Sequence, residues 1–84
     1  MIDNSYKVKC FDGTFKQISK AAIYTETDKL GLIFYKIEGI SHSGQFMIDF
    51  SYDLEQVIKK YFDLIIDMLN FQTENLKALN LDSV

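Results

Sequence analysis

One stretch limits what this chain can fold into: Asp53-Leu-Glu-Gln-Val-Ile-Lys-Lys-Tyr-Phe-Asp-Leu-Ile-Ile-Asp-Met-Leu-Asn-Phe71. It is the only long run in which apolar residues recur at helical spacing. Its start is also legible. Asp53 is placed as N-cap with Gln56 three positions on, the pattern of a capping box, and Tyr52 and Val57 are placed for a hydrophobic staple. Glu55 adds negative charge in the first turn, where the helix dipole favours it. Glu55–Lys59 and Lys59–Asp63 stand at i,i+4, each pair worth a few tenths of a kcal/mol.

The residues before the helix read as short strands. Tyr6, Val8 and Cys10 alternate with Lys7 and Lys9, the period of a half-buried strand. Asp12-Gly13 follows, a pair that favours a two-residue type I′ hairpin turn, so a second strand is expected from Thr14. From Phe15 to Thr25 neither face is clean. A long, bent or bulged strand is expected there, with a short helix near residues 16–22 as the alternative. Glu26 to Lys29 is a polar turn. Leu32 to Ile37 reads as a central strand, Gly39 to Gly44 as a loop, and Gln45 to Phe50 as a last strand. In that last strand Phe46, Ile48 and Phe50 are expected on one face and Gln45, Met47 and Asp49 on the other. The expected fold is α+β: a three- or four-stranded antiparallel sheet with a long C-terminal helix packed on one face, in one domain spanning residues 1–84. An 84-residue domain buries roughly 60% of its unfolded surface, so each core position counts.

The helix carries more apolar residues than one core face needs. At 100° per residue, Leu54, Val57, Ile58, Tyr61, Ile65 and Met68 make a central stripe. Phe62, Ile66 and Leu69 widen it on one flank, and Leu64 and Phe71 on the other. The arc approaches about 200°, against roughly 100° for a single buried face. A straight helix from Leu54 to Leu79 is roughly 39 Å long at 1.5 Å per residue, whereas six-residue strands reach only about 20 Å. Its far end therefore overhangs the sheet and takes Met68, Leu69, Phe71, Leu76 and Leu79 with it. Either a second copy or another protein covers this surface, or the helix breaks near Asn70–Thr73 and folds back. The first outcome is expected, with Phe62, Ile66, Leu69, Phe71, Leu76 and Leu79 as the dimer or partner interface.

Charge narrows the choice of partner. All nine basic residues are Lys, and the net charge is −3. Residues 1–48 hold six Lys and five acids (+1), and residues 49–84 hold three Lys and seven acids (−4). Arg is the residue best fitted to phosphate and guanine. Its absence, with no basic patch, argues against nucleic acid. On the polar face of the helix, Asp63, Asp67 and Glu74 form an acidic strip, read as a solvated face or as a docking site for a basic protein surface.

Catalytic chemistry finds little support. His42 is the only histidine, and no partner for general-base work is visible near it. Cys10 is the only cysteine and reads as a small buried hydrophobe. No serine has a nucleophile-elbow context, and the order of ligands of a calcium loop is missing. Tyr24, Phe34, Tyr35 and Phe46 on the strands read as core packing. No cofactor, metal or membrane span is expected, and no signal-peptide pattern opens the chain, so a cytoplasmic location is expected. The richness in Ile, Asn, Lys, Phe and Tyr, without Arg, Pro or Trp, points to an AT-rich bacterial or phage genome. The expected function is that of a small non-enzymatic protein-binding module, homodimeric through its C-terminal helix. An anti-CRISPR-like inhibitor of a host defence nuclease is one concrete form. The alternative is a small structural or accessory subunit of a larger phage or bacterial assembly.

Overall fold

The computed structural model describes residues 6–82, with side chains to residue 77. The element order is β1 (Tyr6–Lys9), β2 (Phe15–Ile18), β3 (Lys20–Thr27), β4 (Ile33–Ser41), β5 (Gly44–Ser51) and α1 (Leu54–Asp82). β1 and β2 form an antiparallel ribbon, and β3, β4 and β5 form an antiparallel sheet with β4 in the middle. With the C-terminal helix this is the α+β architecture that the periodicities predict.

The ambiguous stretch from Phe15 to Thr25 is a strand with a corner, not a helix. Ser19 breaks it into β2 and β3, and its N–H and Oγ both donate to the Ile40 carbonyl (2.8 and 3.1 Å). The ribbon thereby crosses onto the sheet. Its far end is tied down too, because the Phe11 N–H donates to the Met47 carbonyl on β5 (2.9 Å).

Three local readings are corrected. The Asp12-Gly13 turn is a three-residue loop, with Cys10 and Thr14 paired across it and only Gly13 at positive φ (89°). A type I′ turn needs positive φ at Asp12 as well. Asp12 instead accepts hydrogen bonds from the Thr14 N–H (2.9 Å) and hydroxyl (2.6 Å). The stretch from Gly39 to Gly44 is not an open loop: β4 runs to Ser41, and His42-Ser43 alone make the turn. A bulge in β5 sets Ile37 opposite Asp49 but Glu38 opposite Met47. The extra residue, Ile48, stays on the core side, so Asp49 joins the helix-facing side and Phe50 moves to the outer face.

The core lies between the sheet, the ribbon and α1. Ile18, Ile37, Val57, Leu64 and Met68 are its buried centre, with Tyr6, Val8, Ile23, Tyr35, Ile48 and Tyr61 packed around them. β4 comes so close to the ribbon that a Cβ at Gly39 would sit 2.6 Å from the Ile18 Cγ2.

α1 is continuous through Asn70–Thr73. At roughly 43 Å it outruns the sheet. The molecule accordingly measures 59 × 25 × 18 Å, with a radius of gyration of 15.4 Å, against about 12 Å for a compact chain of this length. The N-cap works as predicted in one respect, since the Glu55 N–H donates to the Asp53 carboxylate (3.0 Å). The reciprocal half of the capping box is not formed. Gln56 accepts from the Ser51 hydroxyl (3.5 Å), and Ser51 also takes the Asp53 N–H (3.0 Å).

Candidate protein-interaction surface

The buried seam of α1 runs Val57, Tyr61, Leu64, Met68, Phe71, in steps of four and three residues. It is rotated from the expected stripe. Leu64 lies at its centre, while Leu54 and Ile58 fall outside it. The cause is the ribbon. β1 lies on this side of α1 and packs against its seam. Leu64 and Asp67 line a groove with Tyr6 and Val8, and Phe71 packs edge-on against Tyr6 (centroids 5.5 Å apart). On the opposite flank the Tyr61 hydroxyl reaches over the edge strand β3 and donates to the Ala21 carbonyl (3.4 Å).

This rotation leaves a second apolar stripe in solvent. Leu54, Ile58, Phe62, Ile66, Leu69 and Leu76 follow one another along it. Phe62, Ile66, Leu69 and Leu76 are 58, 53, 56 and 60% exposed. Such a patch, interrupted only by Gln72 and Thr73 before Leu76, is uncommon on a monomer and marks a contact surface. Of the predicted interface residues, Phe62, Ile66, Leu69 and Leu76 therefore share one face. Phe71 sits apart, half-buried against the ribbon. Leu79 lies on the helical backbone, with a side chain outside the described residues.

The acidic strip is divided. Asp63 and Asp67 line the groove that also holds Lys9 and Lys60, and the Asp67 carboxylate stands close enough to Tyr6 to add to the effect of burial in pushing up that phenol. Glu74 is on the overhang, loosely paired with Lys77 (3.9 Å). Lys60 is ion-paired with Asp49 across to β5. The polar side of α1 thus mixes lysines with its carboxylates. Among the described residues no group of three His, Cys, Asp or Glu converges as a metal site. No helix among them is long and apolar enough to cross a membrane.

A second apolar surface is absent from the sequence reading. The outer face of the sheet carries Phe34 and Phe50, joined edge-on by Phe11 and flanked by Tyr52. Lys36 sits among them, ion-paired with Glu26 and with Glu38 (3.6 Å); the bond to Glu26 leads in holding its ammonium above the usual lysine range. The alternation Leu32, Phe34, Lys36 hinted at this face, but Phe50 joins it only because of the bulge. Of the aromatics read as core, Tyr35 is core, Phe46 is half-buried under the Lys16 ammonium (5.2 Å), and Phe34 and Tyr24 face outward.

The remaining candidates for chemistry are plain. His42 is exposed at the hairpin tip, beside a groove of Lys16, Gln17, Ser19, Ser41, Ser43 and Phe46 that has no carboxylate. Ser41 and Ser43 bond each other (3.0 Å). Cys10 is buried, and desolvation, then Asp12, push its thiol up, away from the reactive thiolate.

Comparison of the chain with family models, with curated proteins and with solved structures finds no match.

Proposed function

We infer that this chain is a non-enzymatic protein-binding module whose contact surface is the outward stripe of α1. One observation carries the reading: Leu54, Ile58, Phe62, Ile66, Leu69 and, past a polar turn at Gln72 and Thr73, Leu76 form an apolar line on the solvent side of a helix that already has a complete buried seam. A core needs only one such seam. A protein of this kind acts by covering part of what it binds. Inhibition by occlusion, including of a defence nuclease, is the narrower form of the proposal, and the acidic side chains Asp63, Asp67 and Glu74 would favour a basic partner surface beside the stripe.

The test is capture from the source cell with three baits: the wild-type chain, Phe62→Ser with Leu69→Ser, and Asp63→Lys with Asp67→Lys and Glu74→Lys. Circular dichroism establishes that each is folded. Binding lost in the first variant is the expected result, with a weaker or salt-sensitive loss in the second. Binding unchanged in both sinks the reading. The outer sheet face favours a second reading, a subunit with two separate contacts in a larger assembly. Large oligomers that Phe50→Ser disperses would support it.

A further inference from the structure

We propose that the occupant of the α1 stripe is a second copy of this chain, packed antiparallel about a two-fold axis at Ile66; the proposal rests on the reading of α1 as a contact surface and specifies its partner. A two-fold interface must be complementary to itself, and the stripe meets that requirement in shape and in charge. With Ile66 facing its own copy, Phe62 faces Leu69, and Leu54 comes level with Leu76. In antiparallel helix pairs the same flank of each helix meets across the seam. On α1 that flank is Glu55, Lys59, Asp63, Asn70 and Lys77. The arrangement sets Glu55 against Lys77, a pair that occurs twice, and sets Asp63 against the neutral Asn70. No like charges oppose each other. A parallel pair would bring this charged flank against the other one, Tyr61 and Ile65, and would leave Glu55 and Lys77 without a partner across the interface.

Burial agrees with charge. The six stripe side chains expose on the order of 600 Å² per chain, or about 1,200 Å² for a pair, at the lower bound of specific interfaces. The overhang also finds a use. Beyond Phe71, which rests on Tyr6, α1 has left its own sheet. In the antiparallel pair this segment lies along the partner's first turns, where Leu54 and Ile58 are uncovered.

The test uses the full chain with native Cys10, which is buried. Light scattering on a size-exclusion column is expected to give the dimer mass at tens of micromolar. Under mild oxidation Ile66→Cys is expected to cross-link. Leu76→Cys alone is not expected to, but an equimolar mixture of Leu54→Cys and Leu76→Cys is. Glu55→Lys or Lys77→Glu alone is expected to raise the dimer Kd roughly tenfold, because each reversal acts twice across the axis, and the double variant to restore it. Cross-linking of Leu76→Cys to itself would mean a parallel pair and overturn the proposal. A monomer at high micromolar concentration would overturn it too. A hydrophobic dye then separates the two readings. Dye bound to that monomer and lost in Phe62→Ser with Leu69→Ser leaves the contact surface standing with a different partner, whereas no dye binding removes both.

Discussion

Asp28 shows how one side chain organises a whole corner. Its carboxylate accepts from the Tyr52 hydroxyl (2.8 Å) and from the N–H groups of Leu30 and Leu32 (2.9 Å each). The loop between β3 and β4 is thereby fixed to the segment that launches α1. The Tyr52 bond leads, followed by the Leu32 N–H, in holding Asp28 below the usual carboxylate range. The same bond leads in raising the Tyr52 phenol. The signs follow from linkage. A lowered carboxylate stabilises the fold above its unfolded value, and the contribution is lost as pH falls through the folded value. A raised phenol stabilises below its unfolded value, and the contribution is lost as pH rises through the folded one. Tyr52→Phe is therefore expected to lower Tm at neutral pH. The gap to wild type should close at both the acid and the alkaline limb of a thermal melt series. A gap that stays constant through the acid limb would mean the bond does not form in solution.

At the scale of the element, α1 has two apolar lines with different duties. Leu64, on the inner line, is buried against the sheet and the ribbon. Leu64→Ala is expected to cost about 2–5 kcal/mol, because the cavity it leaves cannot collapse. Leu69, on the outer line, touches solvent. Leu69→Ser is expected to stay within about 0.5 kcal/mol of wild type in a dilute sample. Its cost should grow with protein concentration, since a partner bound to the folded state stabilises by mass action. Urea melts at two concentrations read both effects. Equal costs for the two variants would mean that the lines have been assigned to the wrong sides.

For the whole molecule, the decisive contact is between the ribbon and the sheet. Ile18 reaches the backbone of β4 at Gly39, where a Cβ would lie 2.6 Å from one Ile18 atom and 3.2 Å from the Ile48 Cδ1. Gly39→Ala is expected to destabilise by about 1–3 kcal/mol through overpacking, measured by chemical denaturation. Ile18→Leu, which has no Cγ2, should recover part of the loss in the double variant. An unaffected Gly39→Ala would mean that the ribbon does not seat on the sheet. Seating also bears on the helix: Tyr6 and Val8 of β1 meet Leu64 and Phe71, and the Leu64 line faces inward with the Phe62 line out.

What the sequence determined by itself was local. Alternation placed β1, β4 and β5, because the two-residue period of a half-buried strand is visible without knowing its neighbours. Periodicity and the Asp53 cap placed α1 and its surplus of apolar residues. What only the tertiary structure decided was which of those residues are surplus. Leu54 and Ile58 count as core on a helical wheel and lie outside it in the fold, while Leu64 and Phe71 do the reverse. A wheel gives relative angles; the absolute rotation comes from what packs against the helix, here a ribbon that the ambiguous stretch around Ser19 concealed. The outer aromatic face was hidden for a similar reason, since one extra residue at Ile48 reverses the facing of Asp49 and Phe50. The surplus was legible in the residues, and the direction in which it faces came from packing alone.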